Sequence, residues 1–141
     1  MDPRPGRAEA SPRKGGVLEI ATVGEPPTLD PMESPADVVG MVSQHVFETL
    51  YTWGAGWRIV PLLAAAEPDI SADGRTYLIP LRDGVRFHDG STVTSRDVLA
   101  SLERWVRIAQ RGRQVAEYLE GISAPDARTV RIALKQAYAP L

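Results

Sequence analysis

The sequence contains no cysteine, which excludes disulfides, thiolate metal ligands and cysteine nucleophiles. It leaves the compartment open, because an oxidising environment does not require cysteine. No stretch approaches the roughly 20 apolar residues of a membrane span. Histidine is scarce: His45 and His88 are the only two, so a histidine-rich metal site cannot be assembled. No G-x-x-x-x-G-K-[ST] loop occurs and no G-x-G-x-x-G follows a strand, which removes the motif basis for an ATPase or a dinucleotide-binding domain. No G-x-S-x-G elbow is present either. The first residues carry charges but no apolar run behind them, so they do not make a complete secretory signal.

What is present is the composition of a soluble globular chain. Its 141 residues suffice for one ordinary domain with a core, and 43% of them are apolar against 24% charged. The formal charge of −2 gives no reason to expect a nucleic-acid partner. That charge is uneven. Arg4, Arg7, Arg13 and Lys14 against Asp2 and Glu9 give residues 1–16 a charge of +2, leaving −4 for the remainder. A short, basic, Pro- and Gly-rich head is expected to be a disordered leader.

Order is expected to begin in GGVLEIATV, where residues 17–23 alternate as a strand does. EPPTLDP follows, its prolines forbidding helix and holding the chain extended. SPADVVGMVSQHVFETLY then predicts a helix, with Ser34 as N-cap, Pro35 in the first helical position and Asp37 as the capping-box partner. Val38, Val42, Val46 and Leu50 recur every four residues and form its buried stripe, which Val39, Met41 and Thr49 widen. A short extended piece is expected around Ile59 and Val60, and a strand over residues 76–81. Turns are expected at Asp73-Gly74, Asp83-Gly84 and Asp89-Gly90. Pro80 lacks an amide donor, which places its strand at an edge or a bulge. Thr94 and Asp97 open a second helix whose inward face is Val98, Leu102, Trp105, Val106 and Ala109. RGRQVAEYLEGI can carry one more short helix, before a turn at Pro125-Asp126 and a strand at Thr129–Leu134. Strand, helix, strands, helix, strand is the order of an α/β or α+β unit built on a mixed sheet.

Among chemical motifs, His88-Asp89 looks most like catalysis and is the basis of a rival reading as a small hydrolase. In a nucleophilic triad, however, the His and Asp meet in space, and adjacency in sequence is not the signal. The plainer reading is a turn at Asp89-Gly90 flanked by His88. His45 has Met41 and Thr49 at i±4, so the helical zinc spacing is absent. The acidic residues are scattered, and Asp37 and Asp97 are assigned to helix starts, so a two-carboxylate hydrolase has no location. Trp53 and Trp57 flank a Gly-rich turn and are expected to pack under the first helix rather than to stack on a ligand. The best physical candidate for a binding element is EPPTLDPMESP: stiff, extended, and running into a helix start with free amide donors.

Six stretches together resemble one family: GGVLEIATV, EPPTLDP, VFETLY, VPLLA, SADGRTYLIPLRDGVRFHDGSTVTSRDVLASLER and APDARTVRIALKQAYAPL. Their order and spacing are similar to the N-terminal part of the extracytoplasmic solute-binding proteins of peptide- and nickel-type ABC importers. The most specific element is DG-x-TY, then LR-x-GV-x-FHDG, then T-x-x-DV-x-x-SL-x-R. The resemblance implies a two-lobed, hinged binder that closes over a peptide or similar small solute and presents it to a membrane permease. It implies no catalysis and no cofactor, a periplasmic or otherwise extracytoplasmic location at the membrane, and a monomer at full length. It also implies that the segment after LDP lines the cleft, which selects Ser34, Pro35, Ala36 and Asp37 as ligand-binding residues. There backbone groups can meet the ligand's main chain as an added strand.

Three departures matter. Pro35 offers no amide, Glu67-Pro68 stands where the family has an aromatic, and family members are several-fold longer. Residues 17–141 are therefore expected to be the N-terminal part of the first lobe, with the hinge strands and the second lobe absent from this sequence and function incomplete. A third class of reading is a sensor or interaction module that borrowed the fold.

Overall fold

The structure, a computed structural model, describes residues 14–139. The expected leader thus falls outside the described residues except for Lys14, Gly15 and Gly16, which are exposed.

Residues 17–23 do not form the expected strand. The segment carries no ladder with any described residue, and Val17, Leu18, Ile20 and Val23 stand 94%, 82%, 65% and 108% exposed. Alternation specifies a face; a strand also needs a neighbour to pair its amides and carbonyls.

The first helix is shorter than the sequence pattern indicates. Helix α1 spans Asp37–Ser43 and starts from Ala36 rather than Ser34, with no side-chain cap bond. Pro35 lies outside it, and the Ser34 hydroxyl accepts the Ala36 amide at 3.3 Å. The buried positions are Val39 and Ser43, whereas Val46, a member of the predicted stripe, is 49% exposed. The reason is local. Gly40 and a run of β-branched residues (Val38, Val39, Val42, Val46) are weak helix formers. The chain therefore leaves the helix at Gln44 and delivers Leu50 and Tyr51 to the core.

Strands β1 (Tyr51–Trp53) and β2 (Ile59–Pro61) form an antiparallel hairpin. Beyond it, Leu62 and Ala64 donate to the Leu50 carbonyl, while Ala65 donates to Pro80 and Arg82 to Leu63. The chain at 62–65 thus bonds to both sheets and seams them together.

The second sheet contains β3 (Asp69–Ile70), β4 (Thr76–Pro80), β6 (Thr129–Leu134) and β5 (Leu119–Asp126), in the order β3-β4-β6-β5. Its expected mixed character is not found among the described residues, where every ladder is antiparallel. The helical crossover after β4 leads to the far edge, and the β5–β6 turn folds back so that β6 slots between them. The α+β order holds. β4 is interior rather than at an edge, yet Pro80 is tolerated because β3 begins opposite Leu78 and does not reach it. No local pattern in the sequence predicts β5. It is an edge strand with register shifts near each end and with Pro125 inside it, and the turn expected at Pro125-Asp126 falls on Ala127 and Arg128.

One face of this sheet is covered by helix α2 (Ser95–Ile108). Ile79, Leu81, Val130, Ile132 and Leu134 from the sheet meet Val98 from the helix and Ala64 from the seam, and Leu102 and Tyr77 pack against this cluster. The start of α2 is as expected: the Thr94 amide and hydroxyl both donate to Asp97 Oδ2, at 2.8 and 2.7 Å. Fully buried Ser95 ties this end to the β5–β6 turn, its hydroxyl donating to Asp126 O and its amide to Ala127 O. Ala109, 7% exposed, breaks the helix, and the short helix expected next is α3 (Gln110–Ala116). Gly112 sits at this elbow, where a Cβ would lie 2.1 Å from the Trp105 carbonyl oxygen.

Candidate functional site

The segment singled out for binding enters from solvent and turns at Asp30. The Asp30 carboxylate accepts the Met32 amide on Oδ1 at 2.9 Å, and its carbonyl accepts the amides of Glu33 and Ser34 at 3.2 and 3.4 Å. From α2, Arg104 Nη2 donates to Asp30 Oδ2 at 2.5 Å and Nη1 lies 3.2 Å from Met32 Sδ. Glu33 completes the anionic side of this clasp at 3.8 Å from Arg104. The hydrogen bond from Arg104, followed by that from the Met32 amide, holds the Asp30 carboxyl below the usual carboxylate range.

Past this turn lies an open depression of about 390 Å3. Ser34, Pro35, Ala36 and Asp37 all line it, together with Pro31 before them and Gly40, Met41 and Gln44 along α1. Gly40 leaves the floor open, since nothing lies within 4 Å of where its Cβ would stand. Met41 contributes an apolar side chain that is 54% exposed. The chemistry available is backbone carbonyls and amides, one hydroxyl, one carboxylate, one carboxamide and a thioether. That set suits hydrogen-bonded capture of a small polar molecule. Arg104, Gly40, Met41 and Gln44 were not singled out from the sequence. For Arg104 a signal existed, because it closes the SL-x-R of the most specific family element.

The other candidates are dispersed. His88 is exposed in its turn, and Asp89 Oδ1 accepts the amide and hydroxyl of Ser91 at 2.8 and 2.7 Å, so this carboxylate serves its own loop. Those bonds, the hydroxyl's first, lower the Asp89 pKa. His45 sits just past α1 with its ring Nδ1 2.8 Å from the Met41 carbonyl, which it caps as a donor.

Trp53 and Trp57 do not pack under the first helix as expected. They are 63% and 83% exposed at the tip of the β1–β2 hairpin and meet edge to face at 6.3 Å and 68°. Trp57 has φ +59° directly after Gly56 at +72°, a left-handed conformation that costs a bulky residue on the order of 1–3 kcal/mol.

The sheet-and-helix unit shares its fold with part of two-lobed, periplasmic-binding-protein-like structures. A family profile for bacterial extracellular solute-binding proteins, family 5 (middle) matches residues 58–141, and the chain belongs to that family. The chain is 31% identical over 108 residues to a probable peptide ABC transporter periplasmic-binding protein, y4tO, of Sinorhizobium fredii, covering 77% of this chain and 20% of that protein. Among solved structures it is similar to AgaA of A. tumefaciens R10 in complex with agropinic acid, with TM-score 0.71 and 35% identity over 81% of this chain and 23% of that one. It is also similar to Listeria monocytogenes OppA bound to peptide, with TM-score 0.72 and 25% identity over 80% of this chain and 26% of that one. The chain therefore spans a fifth to about a quarter of the length of these relatives. Members of the family are binding proteins rather than enzymes. No helix among the described residues is long and apolar enough to cross a membrane.

Proposed function

We propose that this chain is part of the solute-capturing component of an ABC importer, and that residues 17–141 contribute the N-terminal part of its first lobe. The depression at Ser34, Pro35, Ala36 and Asp37 is its share of the ligand cleft. The observation that carries this reading is the coincidence of that depression with the extended, proline-stiffened segment that enters it. A preformed rim of this kind orders little on binding, so less of the contact energy is lost to conformational entropy.

The relatives' named ligands, a peptide and agropinic acid, are different kinds of small molecule. A rim that presents main-chain carbonyls and few large side chains tolerates such variety. Pro35 has no amide, so pairing there relies on its carbonyl and on its neighbours. The partners on this reading are a peptide or similar small solute and a membrane permease, outside the cytoplasm, with ligand capture by hinge closure and no catalytic step.

Isothermal titration of the chain with a mixed peptide library tests the division of the cleft. Binding no tighter than micromolar is expected, because one wall supplies only part of the contacts; sub-micromolar binding would show that the cleft is complete in this chain. The hydrolase reading makes the opposite prediction at His88. His88→Ala leaves any detected turnover intact on the binder reading, and its loss without unfolding would reinstate the enzyme. The interaction-module reading would gain from a kinase or regulator module encoded directly downstream in place of a second lobe.

A further inference from the structure

The clasp between α2 and the LDP turn engages both carboxylate oxygens of one side chain. Asp30 Oδ1 holds the Met32 amide, Oδ2 holds Arg104 Nη2, and the Asp30 amide donates back to Thr28 Oγ1 at 3.1 Å. Arg104 reaches it from a helix whose opposite side is anchored in the core through Val98 and Leu102. The turn so fixed ends at Ser34, the first residue of the proposed rim. A rigid helix, a charge-assisted bond and a side-chain-stabilised turn thus stand in series before the depression. Residues 34–36 bridge this turn and α1: the Ser34 amide donates to the Asp30 carbonyl, Pro35 donates nothing, Ala36 donates to the Ser34 hydroxyl, and the Ala36 carbonyl accepts the Val39 and Gly40 amides.

We propose that Arg104 is a positioning residue for ligand binding: by holding Asp30 it fixes the turn that sets the backbone of Ser34, Pro35 and Ala36 at the rim of the cleft. The proposal rests on the assignment of that depression as the binding site. It does not place Arg104 in contact with ligand. Lysine is a poor replacement, because the two guanidinium nitrogens address Asp30 and Met32 separately and an ammonium cannot reproduce that fork.

The test uses the full chain as wild type, R104Q, R104K, D30N and the R104Q/D30N double variant. Two readouts are followed by NMR: amide hydrogen exchange without ligand, and chemical-shift titration with trialanine at millimolar concentration. Expected in R104Q is about tenfold faster exchange at the Met32 and Glu33 amides, with the amides of Ile79, Val130 and Leu134 unchanged. R104K is expected to fall between wild type and R104Q. D30N resembles R104Q, and the double variant is no worse than either single, as for two residues acting as one unit. Trialanine-induced shifts at Ser34, Ala36 and Asp37 weaken at least about fivefold in R104Q. Unchanged exchange at Met32 and Glu33 overturns the proposal, as does faster exchange with undiminished trialanine affinity. If wild type shows no trialanine shifts at residues 34–37, the site assignment fails instead, and the exchange result alone decides whether Arg104 positions this segment.

Discussion

Single residues carry much of what is distinctive here, and several of their contributions can be measured. The capping box of α2 is the plainest. Thr94→Ala removes the hydroxyl that donates to Asp97, and a loss of about 1 kcal/mol is expected in denaturant unfolding. Asp97→Ala removes the acceptor shared by the amide and the hydroxyl of Thr94, and should cost at least as much.

Two titrations have definite signs. Asp73 is held at about 2 by the Ser71 hydroxyl first and by Arg75. Its folded pKa lies below the unfolded value near 4, so the stability it adds is complete above about pH 4 and fades as pH falls towards 2. Because that carboxylate is solvent-exposed, the effect is small. Tyr51 is pushed up to about 12, by burial first and then by the charge of Glu67. A raised acid favours the neutral phenol in the folded state, so its contribution is intact below about pH 10 and is lost between there and 12. Ultraviolet difference titration of Tyr51→Phe against wild type should show one phenol missing from the high-pH end of the curve.

Elements tell a different story, because their boundaries depend on partners the local pattern does not name. α2 was legible at its start and along its face, since the cap, the capping-box partner and the inward residues Val98, Leu102, Trp105 and Val106 are relations within a turn or two. Its end was not, because Ala109, read as part of the helix, is extended and breaks it. β4 and β6 were legible because alternation and Asp-Gly turns are equally local. α1 was legible only at its centre. A four-residue valine stripe resembles an amphipathic helix, but Gly40 and the β-branched residues give the backbone little reason to continue, and the core wanted Leu50 and Tyr51 elsewhere. β5 hid behind the helix-like run that became α3.

At the candidate site, the family resemblance selects Ser34, Pro35, Ala36 and Asp37, and prolines with a helix start mark the segment that runs into them. Arg104 could not be joined to Asp30, because a contact across 74 positions leaves no periodicity. The elbow between α2 and α3 gives an element-scale prediction. Gly112→Ala places a methyl against the Trp105 carbonyl, and overpacking of this kind should destabilise by about 1–3 kcal/mol, read as a lower urea midpoint. Gly40→Ala meets no neighbour and should instead stabilise α1 by about 0.5–1 kcal/mol while narrowing the depression.

Across the whole molecule, burial is divided sharply. The cluster of Ile79, Leu81, Val98, Val130, Ile132 and Leu134 is almost closed to water, while residues 17–23 and the Trp53–Trp57 tip present large apolar side chains to it. Stability should follow that division. Leu134→Ala is expected to cost about 2–5 kcal/mol, whereas Val17→Ser and Ile20→Ser should each stay within about 0.5 kcal/mol of wild type. Thermal unfolding of the three variants side by side checks this. Exposed apolar surface of this extent also predicts binding of a hydrophobic dye by the native chain, reduced by Trp53→Ser and Trp57→Ser.

The two outer strands of the larger sheet have one more consequence. On one side β3 offers only two residues, and on the other β5 is interrupted by register shifts and by Pro125. Neither margin presents a long, flat row of free amides and carbonyls, so the sheet is a poor template for a further strand. Copies of this chain that stick together should do so through side chains, forming soluble and reversible clusters rather than fibrils. A segment that arrives extended must find its hydrogen bonds away from the sheet's margins.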